Sequence, residues 1–393
     1  MEPRTPGTTQ EDSPRGPTTS LPQVAPVSHP HDISWFVLGN DGLRSGWSAL
    51  FFVALYYLLS FFFDVVALSL DPHLGDNIFS PMQMLITEVI PVVAILVGAL
   101  LMARIESRRL VDYNLVDSRR LQHFFAGLLA GFGALSALVA LLALGGWLRF
   151  GPPALNGGAI FQYGAVWGGV FLLVGLFEEG SFRCYLLATL TRGINFWWAL
   201  ATVGSLCLLL VASRDPNGSG GVFAVALLGV VPCWIVHRRR IASSRFWQAT
   251  WTTSTAFGFF HTSNNGENAI GIFAASLVGI VFCVSVRVTG SAWWAIGCHA
   301  AWDWAETYFY GTPDSGLVPE RHLLSTMPVG NVLWSGGADG PEGSLLVMPV
   351  VLLLLALLLI LFRRSKSVAI VSQHDSPVET TQELKPHPES RVL

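Results

Sequence analysis

The sequence predicts an all-α, polytopic membrane protein, and three observations support this fold class. Long apolar segments recur along the 393-residue chain, and 52% of its residues are hydrophobic. Only 12% are charged, whereas soluble domains carry about 25% charged residues. The 14 tryptophans agree with this class, because tryptophan is enriched at membrane–water interfaces. The small net charge of −3 gives no reason to expect a nucleic-acid partner.

Ten apolar segments are candidate transmembrane helices, since a helix needs about 20 residues to span a bilayer. Turn-forming sequences such as Asp71-Pro72 separate them. The sixth segment is short and is the weakest candidate. The sequence therefore predicts about ten transmembrane helices, at residues 47–70, 82–103, 122–148, 161–190, 196–213, 221–236, 246–263, 268–286, 291–310 and 344–362.

Polar tails are predicted on both sides of the membrane domain. Residues 1–45 are rich in Pro, Thr, Ser and Gly, and residues 367–393 are polar. Neither tail shows a helical or strand period, so we expect both to be disordered. The transmembrane domain would then occupy residues 46–366.

Basic residues are distributed unevenly between alternate loops. With ten spans and a cytoplasmic N-terminus, the outer loops hold three arginines, whereas the inner loops hold fourteen basic residues. The excess of positive charge on inner loops predicts that both tails are cytoplasmic. We expect a bacterial plasma membrane, or the endoplasmic reticulum if the chain is eukaryotic. The inner residues are Arg104, Arg108, Arg109, Arg119, Arg120, Arg192, Arg238, Arg239, Arg240, Arg245, Arg287, Arg363, Arg364 and Lys366, and the outer ones are Arg149, Arg214 and Arg321.

Ionisable residues in the fourth segment indicate a functional site, because a charge at the bilayer centre costs about 2.5–3.5 kcal/mol on insertion scales. Glu179 and Arg183 are four positions apart with the glutamate first, the order that favours an ion pair on a helix. Glu178 is turned about 100° away from its neighbour. Its carboxylate can therefore remain unpaired and act as a general base.

Two later segments carry histidine. The seventh contains His261 near its end, and the ninth contains His299 and Asp303. These last two are four positions apart and so face the same way on a helix. Each feature alone also has a structural interpretation, as an interfacial histidine, a hydrogen bond within a helix or an ion pair that lines a channel. Their combination on three spans favours a common site.

The order of these residues resembles the motif set of the CAAX prenyl protease and bacteriocin-processing family, also called the abortive-infection family. The resemblance covers about residues 100–310. It implies a bundle of membrane helices that encloses a polar cavity, and an intramembrane endopeptidase activity of the glutamate type. The matching motifs are Glu178-Glu179-x-x-x-Arg183, Phe257-x-x-x-His261 and His299-x-x-x-Asp303.

The resemblance also implies a role for individual residues. Glu178 and His261 would bind and deprotonate a water molecule. Glu179 and Arg183 would orient the site, and His299 would donate a hydrogen bond to the oxyanion.

The chain departs from the family pattern in two places. Asp303 stands where the prenyl proteases have Asn, and an ionised carboxylate cannot donate a hydrogen bond to an oxyanion. Either Asp303 is protonated or, as we prefer, it orients His299 and favours the protonated imidazole. Two apparent spans at about 196–236 are extra, but an even number of insertions leaves the later helices in their original orientation.

Two alternatives remain open at this point. Zinc could assist the reaction, because histidine and carboxylate side chains suit it, but the chain has no HExxH motif. We therefore favour a site without metal or other cofactor. A non-catalytic transporter or assembly factor with a polar cavity is the second alternative, since Asp64, Glu88 and Glu306 would suit an ion path.

The expected partners are the lipid bilayer and a protein or peptide substrate. Prenylated substrates are one option that the family resemblance raises. The sequence specifies neither the substrate nor the oligomeric state.

The predicted span limits leave one geometric difficulty. Glu178 and His299 fall nearer to the cytoplasmic side, whereas His261 falls near the outer end of its segment. A common site would require the seventh helix to be shifted or tilted. Tilts of about 20° are ordinary and would remove only part of the offset.

Overall fold

The computed structural model describes residues 34–39, 42–74, 80–213, 229–264, 266–314 and 320–362. Within these residues the chain is mostly helical, and its two small sheets have two antiparallel strands each. The predicted all-helical class is therefore confirmed. The helices are α1 (Ser34–Val37), α2 (Ser45–Leu70), α3 (Pro81–Thr87), α4 (Val89–Ile105), α5 (Arg120–Leu144), α6 (Gly158–Glu179), α7 (Leu187–Gly193), α8 (Phe196–Ser213), α9 (Val231–Arg238), α10 (Ser244–His261), α11 (Ala269–Thr289), α12 (Trp293–Asp303), α13 (Val332–Ser335) and α14 (Val347–Phe362).

Five helices among the described residues are long and apolar enough to cross a membrane. They are Ser45–Leu70, Pro81–Ile105, Arg120–Leu144, Gly158–Gly193 and Ala269–Thr289. The chain is therefore a multi-pass membrane protein.

The prediction of ten spans exceeds the five helices that are long and apolar enough to cross a membrane. Two shorter apolar helices, Phe196–Leu209 and Val347–Phe362, fall in other predicted segments. A helix lies in each of the ten segments, although 221–228 of the sixth lies outside the described residues. The number of transmembrane helices thus stays a prediction.

Most of the predicted tails lies outside the described residues. This applies to residues 1–33 and to 363–393, and therefore to the last three inner basic residues. Between residue 34 and the start of α2, the chain forms the short helix α1 and an antiparallel pair of strands, β1 (Leu38–Gly39) and β2 (Gly42–Leu43).

Helix α12 lies in the interior and packs against α5, α6 and α11. Glycines allow α5 and α12 to approach backbone to backbone. A Cβ atom at Gly127 or Gly131 of α5 would overlap the backbone of α12, and one at Gly297 would overlap that of α5. Small residues permit such close packing between membrane helices. The result is that His299, two residues after Gly297, lies inside the bundle.

Two motif-bearing helices continue as π-helical turns. The segment Gly180–Leu186 follows Glu179 directly, and Trp304–Tyr310 follows Asp303 directly. Wide turns of this kind are rare and occur frequently at functional sites. Each π turn shifts the side chains that follow relative to an ideal α-helix, which a fixed period of 3.6 residues could not predict.

The segment 311–346, of which 315–319 are not described, connects the ninth and tenth predicted spans. Its strand β4 (Thr326–Pro328) pairs with β3 (Leu148–Phe150). Further along, the segment is bound to the start of α11. The side-chain oxygen of Asn268 accepts hydrogen bonds from two backbone N–H groups in the first turn of α11. Its side-chain nitrogen donates to two carbonyl oxygens of the segment. The N–H group of Asn268 donates to Asp339. The segment is thereby held against the end of the bundle where α11 begins.

Candidate active site

The innermost part of the site joins the first and third motifs. Glu179 and Arg183 are both completely buried. Oε1 of Glu179 accepts a hydrogen bond from Nη1 of Arg183 at 3.0 Å and another from Nδ1 of His299 at 2.8 Å. The structure thus contains the ion pair that the spacing predicts. The contact between Glu179 and His299, 120 residues apart, was not predicted.

Aromatic rings surround the buried cation of Arg183. Its guanidinium carbon lies 4.2 Å from the ring centroid of Phe257, 5.3 Å from that of Phe282 and 5.7 Å from that of Phe182. A cation over an aromatic face is stabilised by about 0.5–2 kcal/mol. Its Nη1 atom donates a hydrogen bond to Glu179, whereas its Nε and Nη2 atoms have no hydrogen-bond acceptor among the described residues. Arg183 is therefore held in place by one carboxylate and three rings.

The other ring nitrogen of His299 faces two carboxylates. Nε2 lies 3.4 Å from Oδ2 of Asp303 and 3.7 Å from Oε2 of Glu178. The imidazole stacks on Phe282, with ring centroids 5.7 Å apart and planes inclined by 27°. Nδ1 must carry a proton to bind its carboxylate partner, and Nε2 with a proton would face both carboxylates. The structure thus places Glu178 and Asp303 together at the ring nitrogen that does not contact Glu179.

Glu178 and His261 line one cavity of about 290 Å³. Oε2 of Glu178 is buried without a hydrogen-bond partner among the described residues. Nδ1 of His261 lies 2.9 Å from the carbonyl oxygen of Phe257. A carbonyl only accepts, so Nδ1 carries the proton and the neutral ring leaves Nε2 as an acceptor.

The expected offset between Glu178 and His261 is wrong. The helical stretch that holds Glu178 runs from Gly158 to Gly193, so this residue lies near its middle. Helix α10 ends at His261, and the two side chains line the same cavity.

A smaller cavity of about 180 Å³ adjoins the first. Glu178, Phe257, His261 and Asn264 line both cavities. Aromatic side chains form much of the wall of the smaller one: Phe52, Tyr56, Tyr57, Phe177, Phe182 and Phe260. The candidate catalytic residues therefore lie between a space rich in aromatic groups and a larger space rich in ionisable groups.

A family comparison agrees with this geometry. The model of the Rce1-like family, described as type II CAAX prenyl endopeptidases, matches residues 160–244 and 239–305. This part of the chain is therefore similar to the CAAX prenyl endopeptidases. The match covers just over a third of the chain and includes all seven motif residues. Comparisons with curated proteins and with solved structures found no match.

The zinc alternative can be compared with the donor set of this site. Within the described residues, no group of three or more His, Cys, Asp or Glu side chains is arranged to hold a metal ion. One candidate ligand, Glu179, already accepts hydrogen bonds from Arg183 and His299. The metal-free site remains a prediction.

Several residues of the candidate site were not predicted. Asn264 follows the second motif by three residues, and Asp314 and Glu342 belong to the 311–346 segment, yet all three line the larger cavity. Their signal in the sequence was weak, because polar residues in loops are common. Of the residues suggested for an ion path, Glu88 lines the same cavity at the break between α3 and α4. Asp64 is exposed on α2.

Proposed function

We propose that this CAAX-type protease hydrolyses a peptide bond of a membrane-associated protein or peptide, with the water activated by Glu178 and His261. The observation that carries the proposal is their position on one cavity. There, Glu178 has a buried oxygen without a hydrogen-bond partner among the described residues. His261 has an acceptor nitrogen, because its other nitrogen donates to a carbonyl. A water molecule between them would have an acceptor for each of its protons.

The proposed reaction has two steps. Glu178 accepts one proton of the water, while His261 accepts a hydrogen bond from the other. The water oxygen then attacks the carbonyl carbon and forms a tetrahedral intermediate. When the carbon–nitrogen bond breaks, Glu178 returns its proton to the leaving nitrogen, so that one water is consumed for each bond cleaved. General acid–base catalysis of this type typically contributes about 10²–10⁴ in rate.

His299 is the proposed donor to the oxyanion. Its Nδ1–H is bound to Glu179, so only Nε2 is available for this role. Nε2 lies within 3.7 Å of Glu178 and 3.4 Å of Asp303, and a substrate carbonyl would have to approach beside these carboxylates. Removing one oxyanion donor typically costs about 10²–10³ in rate.

The smaller cavity supports an apolar group on the substrate. Its aromatic wall meets the candidate catalytic residues at Glu178 and His261, so an apolar chain bound there would lie beside the bond to be cleaved. An isoprenoid is one such chain, and a large apolar side chain is another. The proposal also includes the ten-span topology, with both tails in the cytoplasm.

Mass spectrometry of peptide products tests this function. The purified protein in detergent micelles would be given a peptide with a farnesylated cysteine four residues from its C-terminus, and the matched peptide without the farnesyl group. We expect one new C-terminus and a total mass gain of one water. Cleavage of the farnesylated peptide alone would identify an isoprenoid as the apolar group. No cleavage of any membrane-anchored peptide, by protein that is folded, would contradict the proposed function.

A further inference from the structure

We propose that the acidic wall of the larger cavity binds a cationic side chain, Lys or Arg, of the substrate. The acidic wall is defined here as Asp303, Asp314 and Glu342. The inference rests on the proposed function only in taking this cavity as the place where the substrate binds.

The lining of the cavity has an excess of acidic groups. Besides the acidic wall, it includes Glu88 and Glu178. No Lys or Arg lines the cavity among the residues that the structure describes. The nearby cation of Arg183 is already bound to a carboxylate and enclosed by rings. Carboxylates in a low-dielectric space need a countercharge or protons, and within the described lining the basic side chains are those of His261 and His299.

The two loop carboxylates of the acidic wall are held in fixed positions. Asp314 accepts a hydrogen bond from the hydroxyl group of Thr307 at 2.7 Å, and Glu342 accepts one from the indole N–H group of Trp302 at 2.5 Å. Both donors belong to the helical stretch that starts with α12 and continues after His299. The carboxylates are therefore anchored to the helix that carries the third motif.

Further acidic groups lie behind the wall with their hydrogen-bonding capacity unfilled. Glu306 and Asp339 are each only 1% exposed. Oε1 of Glu306 and Oδ1 of Asp339 have no hydrogen-bond partner among the described residues. A Lys ammonium group brings three donors, and an Arg guanidinium group brings five. A cationic side chain bound at the wall would therefore supply the positive charge that this acidic region lacks.

Burial also affects the ionisation of the wall. It raises the pKa of Glu342, and carboxylates such as Asp314 and Asp303 raise it further. Burial likewise raises the pKa of Asp314, against the lowering effect of its hydrogen bond from Thr307. Burial therefore disfavours the ionised form of both carboxylates when no cation is nearby. A bound cation would stabilise their ionised form, which couples substrate charge to binding.

The acidic wall lies partly outside the region shared with the family. The matched region ends at residue 305, whereas Asp314 and Glu342 come later in the chain. Two of the three residues of the acidic wall therefore lie outside the matched region.

A binding experiment separates this inference from the proposed reaction. The Glu178→Gln variant in phosphatidylcholine nanodiscs would be titrated with fluorescein-labelled peptides of sequence Leu-Phe-X-Leu-Phe, where X is Arg, norleucine or Glu. Fluorescence anisotropy gives the dissociation constants. We expect the Arg peptide to bind at least tenfold more tightly than the norleucine peptide, and the Glu peptide to bind most weakly.

Charge-neutral variants then test the assignment to the acidic wall. Adding Asp314→Asn and Glu342→Gln to the Glu178→Gln variant should bring the dissociation constants of the Arg and norleucine peptides to within about threefold of each other. The affinity for the norleucine peptide should stay unchanged. Adding Glu320→Gln instead, at an exposed carboxylate outside the cavity, should leave the preference intact. If the combined variant binds neither peptide, each single change must lower the preference at least threefold.

Two results would overturn the inference. One is equal binding of the Arg and norleucine peptides to Glu178→Gln protein. The other is a preference that survives neutralisation of Asp314 and Glu342. Because cleavage is not measured, the preference can be present in a protein that hydrolyses nothing. In that case the proposed function fails and the inference stands.

Discussion

Nδ1 of His299 donates a hydrogen bond to Oε1 of Glu179 at 2.8 Å, and both side chains are largely buried. The same oxygen accepts from Arg183. The Glu179 carboxylate therefore positions both Arg183, which points away from the cavity, and His299, which points into it. We infer that Glu179 acts on the reaction through His299, whereas Glu178 acts on the water directly.

The first prediction compares the stabilities of two glutamate variants. Glu179→Gln removes the charge that Arg183 faces, while the cation stays completely buried. Removing one partner of a buried ion pair costs about 3–5 kcal/mol. Glu178→Gln removes no hydrogen bond found in the structure and should change stability much less. Thermal unfolding of both variants in one detergent checks this. Equal melting temperatures would contradict the division of roles.

The second prediction concerns Asp303, the departure from the family. If its charge orients His299, Asp303→Asn should lower kcat about tenfold with little change in KM. The amide oxygen of asparagine can still contact His299, but it lacks the negative charge. If position 303 instead donates to the oxyanion, the asparagine that the family uses should raise kcat. Steady-state kinetics on one cleaved peptide decide between these roles. An unchanged kcat would show that neither applies.

The sequence predicted the contacts made along a helix. Spacing by four residues placed Glu179 beside Arg183 and His299 beside Asp303, and the structure contains both contacts. Such contacts follow from the helical period alone. The motif order also indicated the family whose model matches residues 160–244 and 239–305. The contact from Glu179 to His299 depends on how two helices pack, and no local pattern encodes that packing.

The same reason explains what the sequence did not predict about the outer end of the cavity. Asp314 and Glu342 lie in a long segment without a period, and their positions follow from hydrogen bonds to Thr307 and Trp302. In the π-helical turn that contains Thr307, the side chains point in different directions from those on a regular α-helix. Likewise, the predicted offset of His261 was wrong because segment limits taken from hydropathy do not give the depth of a residue in the bundle.

The third prediction is a pH dependence of stability. Burial raises the pKa of Asp339 from 3.8 to about 7. Since folding favours the protonated form, its contribution to stability is fully present below about pH 4 and is lost as the pH rises through about 7. The loss is at most about 4 kcal/mol. The melting temperature of the wild type should fall between pH 5 and pH 8, and that of Asp339→Asn should fall less. Parallel falls in both proteins would contradict this assignment.

The fourth prediction concerns topology. The fourteen-to-three distribution of basic residues predicts cytoplasmic tails. A single cysteine at Thr19 or Ser376, in a chain whose native cysteines are replaced, should not react with an impermeant maleimide in intact cells. It should react after permeabilisation, which serves as the positive control. Efficient labelling of either site from outside would contradict the cytoplasmic placement of the tails. It would require either the opposite orientation or a different number of spans.

The measurement that tests the central claim most directly is the turnover of Glu178→Gln on a peptide that the wild type cleaves. The glutamine keeps the size of the side chain but cannot accept the proton of the water. We predict a fall in kcat of at least about 10², with a melting temperature close to that of the wild type. A folded Glu178→Gln protein that keeps kcat within tenfold of the wild type would show that Glu178 is not the base.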